Sequence, residues 1–241
     1  MKTIKQKTAE VKKKTSAKKS ATKASIIFPR ACRLLKDMSD DEFARICECM
    51  QVQELHLKNK ETFIHETDLC NRIGIVVMGA VRLTRQRLDG GRVMLETIGE
   101  NGVFGMTYVF RDVKTMGISI SAVGDTVVLL FNTDKIPHPC HKVCSAHLLF
   151  IKNLLAVMSQ TTFQLKQRLR ILSQHTIRGR LSVFLQIYAK RMHSNSFDIP
   201  YNRQALADLL CVERSALSAE ISKLRNEHKL EVEKNHFKIL G

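Results

Sequence analysis

Asn202-Arg203-Gln204-Ala205-Leu206-Ala207-Asp208-Leu209-Leu210-Cys211-Val212-Glu213-Arg214-Ser215-Ala216-Leu217-Ser218 is the stretch that decides the fold. Just before it, Phe197-Asp198-Ile199-Pro200 reads as a short strand stopped by proline, and Asn202 then stands where a helix cap belongs. Residues 203–210 form a first short helix, Cys211-Val212-Glu213 a turn, and residues 214–226 a second helix. On that second helix Leu217, Ile221 and Leu224 share one face, whereas Ser215, Ser218, Ser222 and Arg225 share another. One face is core and the other is small, polar and free. Such a helix suits the major groove, because bulk would hold its backbone out and an arginine donates two hydrogen bonds to guanine. Taken alone, Arg214 would be an exposed helix residue with no specific task. Residues 230–240 alternate apolar and polar about Lys234-Asn235, as a β-hairpin does.

Upstream of this stretch lies a helix with a seven-residue beat. Leu148, Leu155, Thr162 and Leu169 make one row, and Ile151, Met158, Leu165 and Leu172 a second row offset by three. Rows of that kind are the a and d positions of a two-helix seam, narrower than the stripe of a helix lying on its own domain. Further upstream the pattern turns β: Leu55-His56-Leu57, 73–78, Val81-Arg82-Leu83, Val93-Met94-Leu95, Ile118-Ser119-Ile120 and 127–131. Nine of the eleven glycines fall between Gly74 and Gly124, which predicts tight turns between closely spaced strands of a roll or barrel. Before the strands, Ser39-Asp40-Asp41-Glu42 offers a helix cap with acids in the first turn, followed by Phe43, Ile46 and Met50 on one face.

The remaining composition bounds the partners. The chain of 241 residues has a 44% apolar fraction, enough for ordinary globular cores, and a net charge of +16 that calls for a polyanion, either nucleic acid or an acidic membrane surface. Residues 1–25 hold nine lysines against Glu10 with almost no large apolar group, and read as a disordered basic tail. No apolar run reaches membrane-spanning length and no secretory core stands at the N-terminus, so the expected location is the cytoplasm. Seven scattered cysteines form no secreted framework and are expected reduced.

The quoted stretch resembles the DNA-binding signature of the Crp/Fnr superfamily of bacterial transcription regulators. Two further segments agree: Gly74-Ile75-Val76-Val77-Met78-Gly79-Ala80-Val81 resembles the family's β-roll strand and turn, and Gly99 with Gly102-Val103-Phe104-Gly105 the loop before its ligand pocket. The resemblance covers about residues 29–240 and implies an α+β architecture. A cyclic-nucleotide-binding-like β-roll (a double-stranded β-helix) is followed by a long dimerisation helix and a winged helix-turn-helix. The boundaries expected are 1–25 for the tail, 26–145 for the sensor, 146–173 for the dimerisation helix and 174–241 for the DNA-binding domain. The implied partners are double-stranded DNA, a second copy of the chain and RNA polymerase, with no membrane. By resemblance Asn202 and Arg203 meet phosphate, and Arg214, Ser215 and Ser218 face base edges or the adjacent backbone. The seam residues are Leu148, Ile151, Leu155, Met158, Leu165, Leu169 and Leu172. Many members carry an acid after the arginine and a second arginine four positions later, where this chain has Ser215 and Ala219, so the half-site does not carry over. His228 stands where a glycine usually precedes the wing, at a cost of about 1 kcal/mol in a left-handed conformation.

The effector is less legible. Cyclic-nucleotide members place a glutamate after Phe-Gly and an arginine-serine pair on the phosphate; this chain has Met106 after Phe104-Gly105 and Thr115-Met116 at the pair. A phosphodiester needs a cation and backbone donors, and Arg111 or Lys114 would supply one only by another geometry. A cyclic nucleotide is therefore not the expected cofactor, although a cyclic-nucleotide-responsive regulator of the same fold is the alternative, and the residues around Phe104, Gly105, Met106, Thr115 and Met116 are the expected effector pocket. Cys140, Cys144 and His147, spaced four and three, share one helix face. They offer a soft-metal or thiol-exchange site, or else plain packing of the helix on the roll. Cys-x3-Cys-x2-His also resembles an element of Crp/Fnr regulators from anaerobes. Cys47 and Cys49 diverge on their helix and make a poor chelate, and Cys32 alone does not supply an iron–sulfur cluster. No catalytic motif accompanies these residues, so no enzyme is expected. A regulatory subunit acting on proteins instead of DNA would not need the paired helices.

Overall fold

The computed structural model describes residues 26–68, 71–87, 89–108, 115, 117–137 and 144–240. The chain divides into two compact units, Met1–Asn153 and Leu154–Gly241. The lysine-rich tail, Cys140, Met116, Arg111 and Lys114 lie outside the described residues.

The first unit opens with helix α1 (Asp40–Cys49). Its start is the capping box that its sequence encodes: Glu42 N–H donates to Ser39 Oγ, and the Glu42 carboxylate accepts from Ser39 N–H at 3.0 Å. The Ser39 N–H, together with the hydroxyls of Ser145 and Ser39, holds the Glu42 carboxyl below its ordinary pKa. Phe43, Ile46, Cys47 and Met50 are buried. A six-stranded antiparallel sheet follows: β1 (Gln53–Leu57), β2 (Thr62–Ile64), β3 (Arg72–Gln86), β4 (Arg92–Ile98), β5 (Val103–Phe104) and β6 (Ser119–Asn132). The order is β1-β6-β3-β4, with β2 on β6 and β5 on β3.

Two pairs of runs expected to be separate strands are each one long strand. Residues 73–78 and 81–83 are both in β3, and 119–120 and 127–131 are both in β6. In β3 the reason is Gly79, whose φ of +79° makes a bulge within the strand where a turn was expected; the register with β6 shifts between Val76 and Met78 and again between Met78 and Ala80. β2 and β5, too short for a pattern, were not expected at all. Gly74 is required by close approach: a Cβ there would fall 1.8 Å from the Phe104 ring.

β6 is buried without interruption from Thr126 to Phe131, as a strand covered on both faces must be. Val128 and Leu130 face the roll interior with Ile64, Val76, Val81, Phe104 and Ile120. Phe131, on the other face, stacks on Phe150 of helix α2 (Ser145–Leu172) with centroids 5.4 Å apart. Asn153 on the same helix is buried and donates to the carbonyls of Leu34 and Lys36.

In the second unit, helix α3 (Ile177–Met192) precedes β7 (Ser196–Asp198), α4 (Arg203–Leu210), α5 (Arg214–Asn226), β8 (Leu230–Glu233) and β9 (His236–Ile239). The strands form a sheet of order β7-β9-β8. Leu181, Phe184, Leu206, Leu210, Leu217, Ile221, Leu224 and Phe237 make one buried core. α3 was missing from the sequence reading, although Thr176 caps it, its hydroxyl accepting from Gly179 N–H at 3.0 Å.

Candidate nucleic-acid interface

Asn202 caps α4 through its side-chain oxygen, which accepts from Ala205 N–H at 2.9 Å. That oxygen is therefore committed to the helix, leaving the side-chain amide hydrogens for any phosphate. Arg203 begins the helix with its guanidinium 5.1 Å above the ring of buried Phe237. Burial pulls its pKa below the ordinary arginine value, and its Nη1 is buried without an acceptor among the described residues. A charged donor in that condition is satisfied by an ordered water or by an anionic oxygen.

α4 ends at Cys211, whose φ of 53° is left-handed; its N–H bonds back to Ala207 and Asp208. Arg180 of α3 holds this turn. Its Nη1 donates to the carbonyls of Leu210 and Cys211 at 3.1 and 3.0 Å, and its Nε to the Gln174 carbonyl at 3.0 Å. α5 is tied at its other end by Arg178, which binds Glu220 at 2.5 Å and both oxygens of Glu227 at 2.9 and 2.7 Å. The two carboxylates raise the Arg178 pKa, while Arg178 and Lys229 lower that of Glu227.

α5 separates its faces as expected. Leu217, Ile221 and Leu224 are buried; Arg214, Ser215, Ser222 and Arg225 are exposed and Ser218 is half-buried. Arg214 has no side-chain hydrogen bond or ion pair among the described residues. Ser222 Oγ donates to the Ser218 carbonyl at 3.0 Å, so its proton is spent inside the helix. Arg214 lines an open cleft of 440 Å³ with Asn202, Arg203, Gln204, Lys234 and Asn235. The hairpin turn thereby brings a third cation, Lys234, beside two arginines, a neighbour that local sequence patterns do not signal. Arg225 lies elsewhere, in a cleft against β8 and β9 with Glu231 and Glu233. His228 adopts the left-handed conformation at φ 54° before the hairpin.

On the hairpin sheet, His236 meets Ser196 Oγ through Nε2 at 2.9 Å and the Asp198 carboxylate through Nδ1 at 3.2 Å. The Asp198 side chain is 81% exposed, and a carboxylate competing with water does not fix the imidazole as a buried one does.

The expected effector residues are placed as follows. Phe104 is inside the roll, edge-on to Phe63 at 6.0 Å; Gly105 (φ +85°) is buried, Met106 half-buried and Thr115 exposed. Cys144 is half-buried and starts the turn before α2. His147 is buried with Nε2 3.3 Å from the Ile136 carbonyl, and its Nδ1 has no partner among the described residues. No group of three metal-binding side chains occurs among the described residues. Cys47 is buried and its pKa pushed up to about 12 by desolvation, the opposite of a metal-binding thiolate. Along α2 the seam positions are open: Leu148, Leu155, Leu165 and Leu169 are 55–69% exposed, while Ile151, Met158 and Leu172 are half-buried. No described helix is long and apolar enough to cross a membrane.

Residues 54–138 match the cyclic nucleotide-binding domain family. That stretch contains both glycine motifs of the β-roll. Among solved structures, the Thermus thermophilus catabolite activator protein is similar at 21% identity, over 86% of this chain and 93% of that one, with a TM-score of 0.49. FixK2 from Bradyrhizobium japonicum is similar at 19% identity over 79% and 93%, with a TM-score of 0.40. DNR from Pseudomonas aeruginosa is similar at 16% identity over 88% and 91%, with a TM-score of 0.47. No curated protein matches the sequence.

Proposed function

We propose that this chain is a cytoplasmic transcription regulator of the Crp/Fnr type, binding a near-palindromic DNA site as a homodimer. In this reading 174–241 is a winged helix-turn-helix in which α5 enters the major groove and β8–β9 is the wing. The carrying observation is the arrangement around α5. A buried leucine-isoleucine face holds it to its domain, a small polar face with an unpaired Arg214 is open, and Arg203 and Lys234 flank its N-terminus. Phosphate contacts from such cations set position, and the open face reads bases. α2 supplies the dimer: its exposed heptad rows pair with the same rows of a second copy, giving two recognition helices for two half-sites. RNA polymerase is the further partner that the resemblance implies.

The signal enters through the β-roll or the start of α2, as a small molecule, a metal or a redox change. The alternative, a regulator responding to a cyclic nucleotide, is favoured by the domain match over 54–138. Against it stand Met106 in place of a ribose-binding acid and Phe104 turned into the core. The test is electrophoretic mobility shift and light scattering on the full chain, with and without cyclic nucleotide. A dimer binding one duplex family at least about 1,000-fold above random DNA is expected. Equal affinity for every duplex would remove the reading.

A further inference from the structure

We propose that each half-site is read through a single guanine, contacted by Arg214, with no second base pair fixed by a bidentate contact from α5. This rests on the DNA-binding reading above and concerns what that helix discriminates. Residues near the N-terminus of a recognition helix contact base edges, and here they are Arg214, Ser215, Ser218 and Ala219. Arg214 is exposed at the first helical position, with no side-chain partner among the described residues, and is the one member with the two-pronged donor that matches guanine O6 and N7. Ser215 carries a hydroxyl, which accepts or donates and so tolerates every base. Ser218 is half-buried, and its carbonyl already takes the Ser222 hydroxyl proton. Ala219 offers a methyl, suited to the thymine methyl but unable to fix a base pair by hydrogen bonding. Arg225, eleven positions after Arg214, lies about 16 Å further along the axis at 1.5 Å per residue, and it borders the hairpin. At that distance it meets the backbone of the duplex.

The small side chains have a second effect. With serine and alanine at 215, 218 and 219, the helix backbone approaches the groove floor without obstruction. The remaining preference then comes from methyl contact and from the ease of bending the duplex, which favours A·T and pyrimidine–purine steps around the guanine.

The experiment selects duplexes from a random pool with the full natural chain, then replaces each recovered guanine singly by 7-deazaguanine, which lacks N7. One position per half-site is expected to lose about 5- to 10-fold in affinity, and every other guanine less than about 2-fold. Arg214→Ala is expected to bind the natural and modified duplexes equally. As a gain test, Ser215→Glu places a carboxylate acceptor in the groove, which should select cytosine at one neighbouring position by about 5-fold. Two or more N7-sensitive guanines per half-site would overturn the proposal. So would none, since Arg214 would then be a phosphate contact. If the pool yields no preferred duplex, the DNA-reading assignment itself fails and the proposal goes with it. The modified duplexes are measured on the unaltered protein, so a poorly folded variant does not blur these outcomes.

Discussion

Arg180 is the residue whose role was least visible in the sequence and most defined in the structure. It sits in a basic run, Arg178-Gly179-Arg180, that reads as solvated charge, yet its guanidinium joins the Gln174 carbonyl after α2 to the Leu210 and Cys211 carbonyls at the turn before α5. Three carbonyls depend on one planar donor, and lysine would not span them. Arg180→Met should keep the aliphatic stem and lose the bonds, destabilising the second unit by about 1 to 3 kcal/mol, measured as a shift of the denaturation midpoint at constant m-value. DNA affinity should fall further than that of Arg178→Met at matched stability, because the carbonyls released belong to the turn itself. Equal midpoints for Arg180→Met and the natural chain would show that water replaces the guanidinium. The neighbouring left-handed residues, Cys211 and His228, each carry backbone strain that a glycine would relieve.

At the scale of elements, α2 presents two different faces along its length. Ala146, His147, Phe150, Asn153 and Leu154 are buried early in the helix, whereas Leu155, Phe163, Leu165 and Leu169 are more than half exposed. In the proposed dimer these leucines are covered by the same helix of a second copy. Replacing Leu155 and Leu165 by Asp would bury unpaired carboxylates in the seam, at a cost of several kcal/mol. Light scattering should then report a monomer at micromolar concentration, with Phe131, Phe150 and the roll unaffected by circular dichroism. A persistent dimer would place the interface elsewhere. These heptads were legible because their period is strict, and α4, α5 and the hairpin because caps, turns and apolar spacing agree over residues 202–240. The long strands β3 and β6 were not, because a bulge at Gly79 and a turn read alike when only the glycine is seen. α3 escaped because it begins Ile177-Arg178-Gly179-Arg180, where a glycine between two arginines masks the start of its apolar face at Leu181, Phe184 and Leu185. The cleft uniting Arg203, Arg214 and Lys234 escaped because no local pattern encodes a contact between a helix start and a hairpin turn some thirty residues later.

For the molecule as a whole, the net charge of +16 divides into two kinds of cation. Arg203 and Lys234 are positioned by a helix and a hairpin beside Arg214, and in the proposed DNA complex would release counterions only where a phosphate meets the cleft. The nine lysines of residues 1–25 belong to a stretch with almost no apolar side chains, and in the proposed complex would neutralise phosphates wherever the chain reaches them. The first kind carries register and the second carries attraction. Deleting residues 1–25 should therefore leave the preferred duplex and the dimer unchanged while lowering affinity for all DNA alike. The slope of log affinity against log salt should flatten by up to about 16 for the two tails of the dimer, at roughly 0.9 per phosphate neutralised, and by about 2 if only a few lysines reach the duplex. Because both specific and random duplexes lose the same term, their ratio at fixed salt should hold within about 3-fold. The measurement is fluorescence anisotropy from 50 to 400 mM salt, on specific and scrambled duplexes, for the full and shortened chains (concentrations of the order used for counterion analysis). An unchanged slope would mean that the tail leaves DNA alone. A changed ratio with an unchanged slope would mean that it acts on the reading helix instead, and the separation of positioning from attraction would fall.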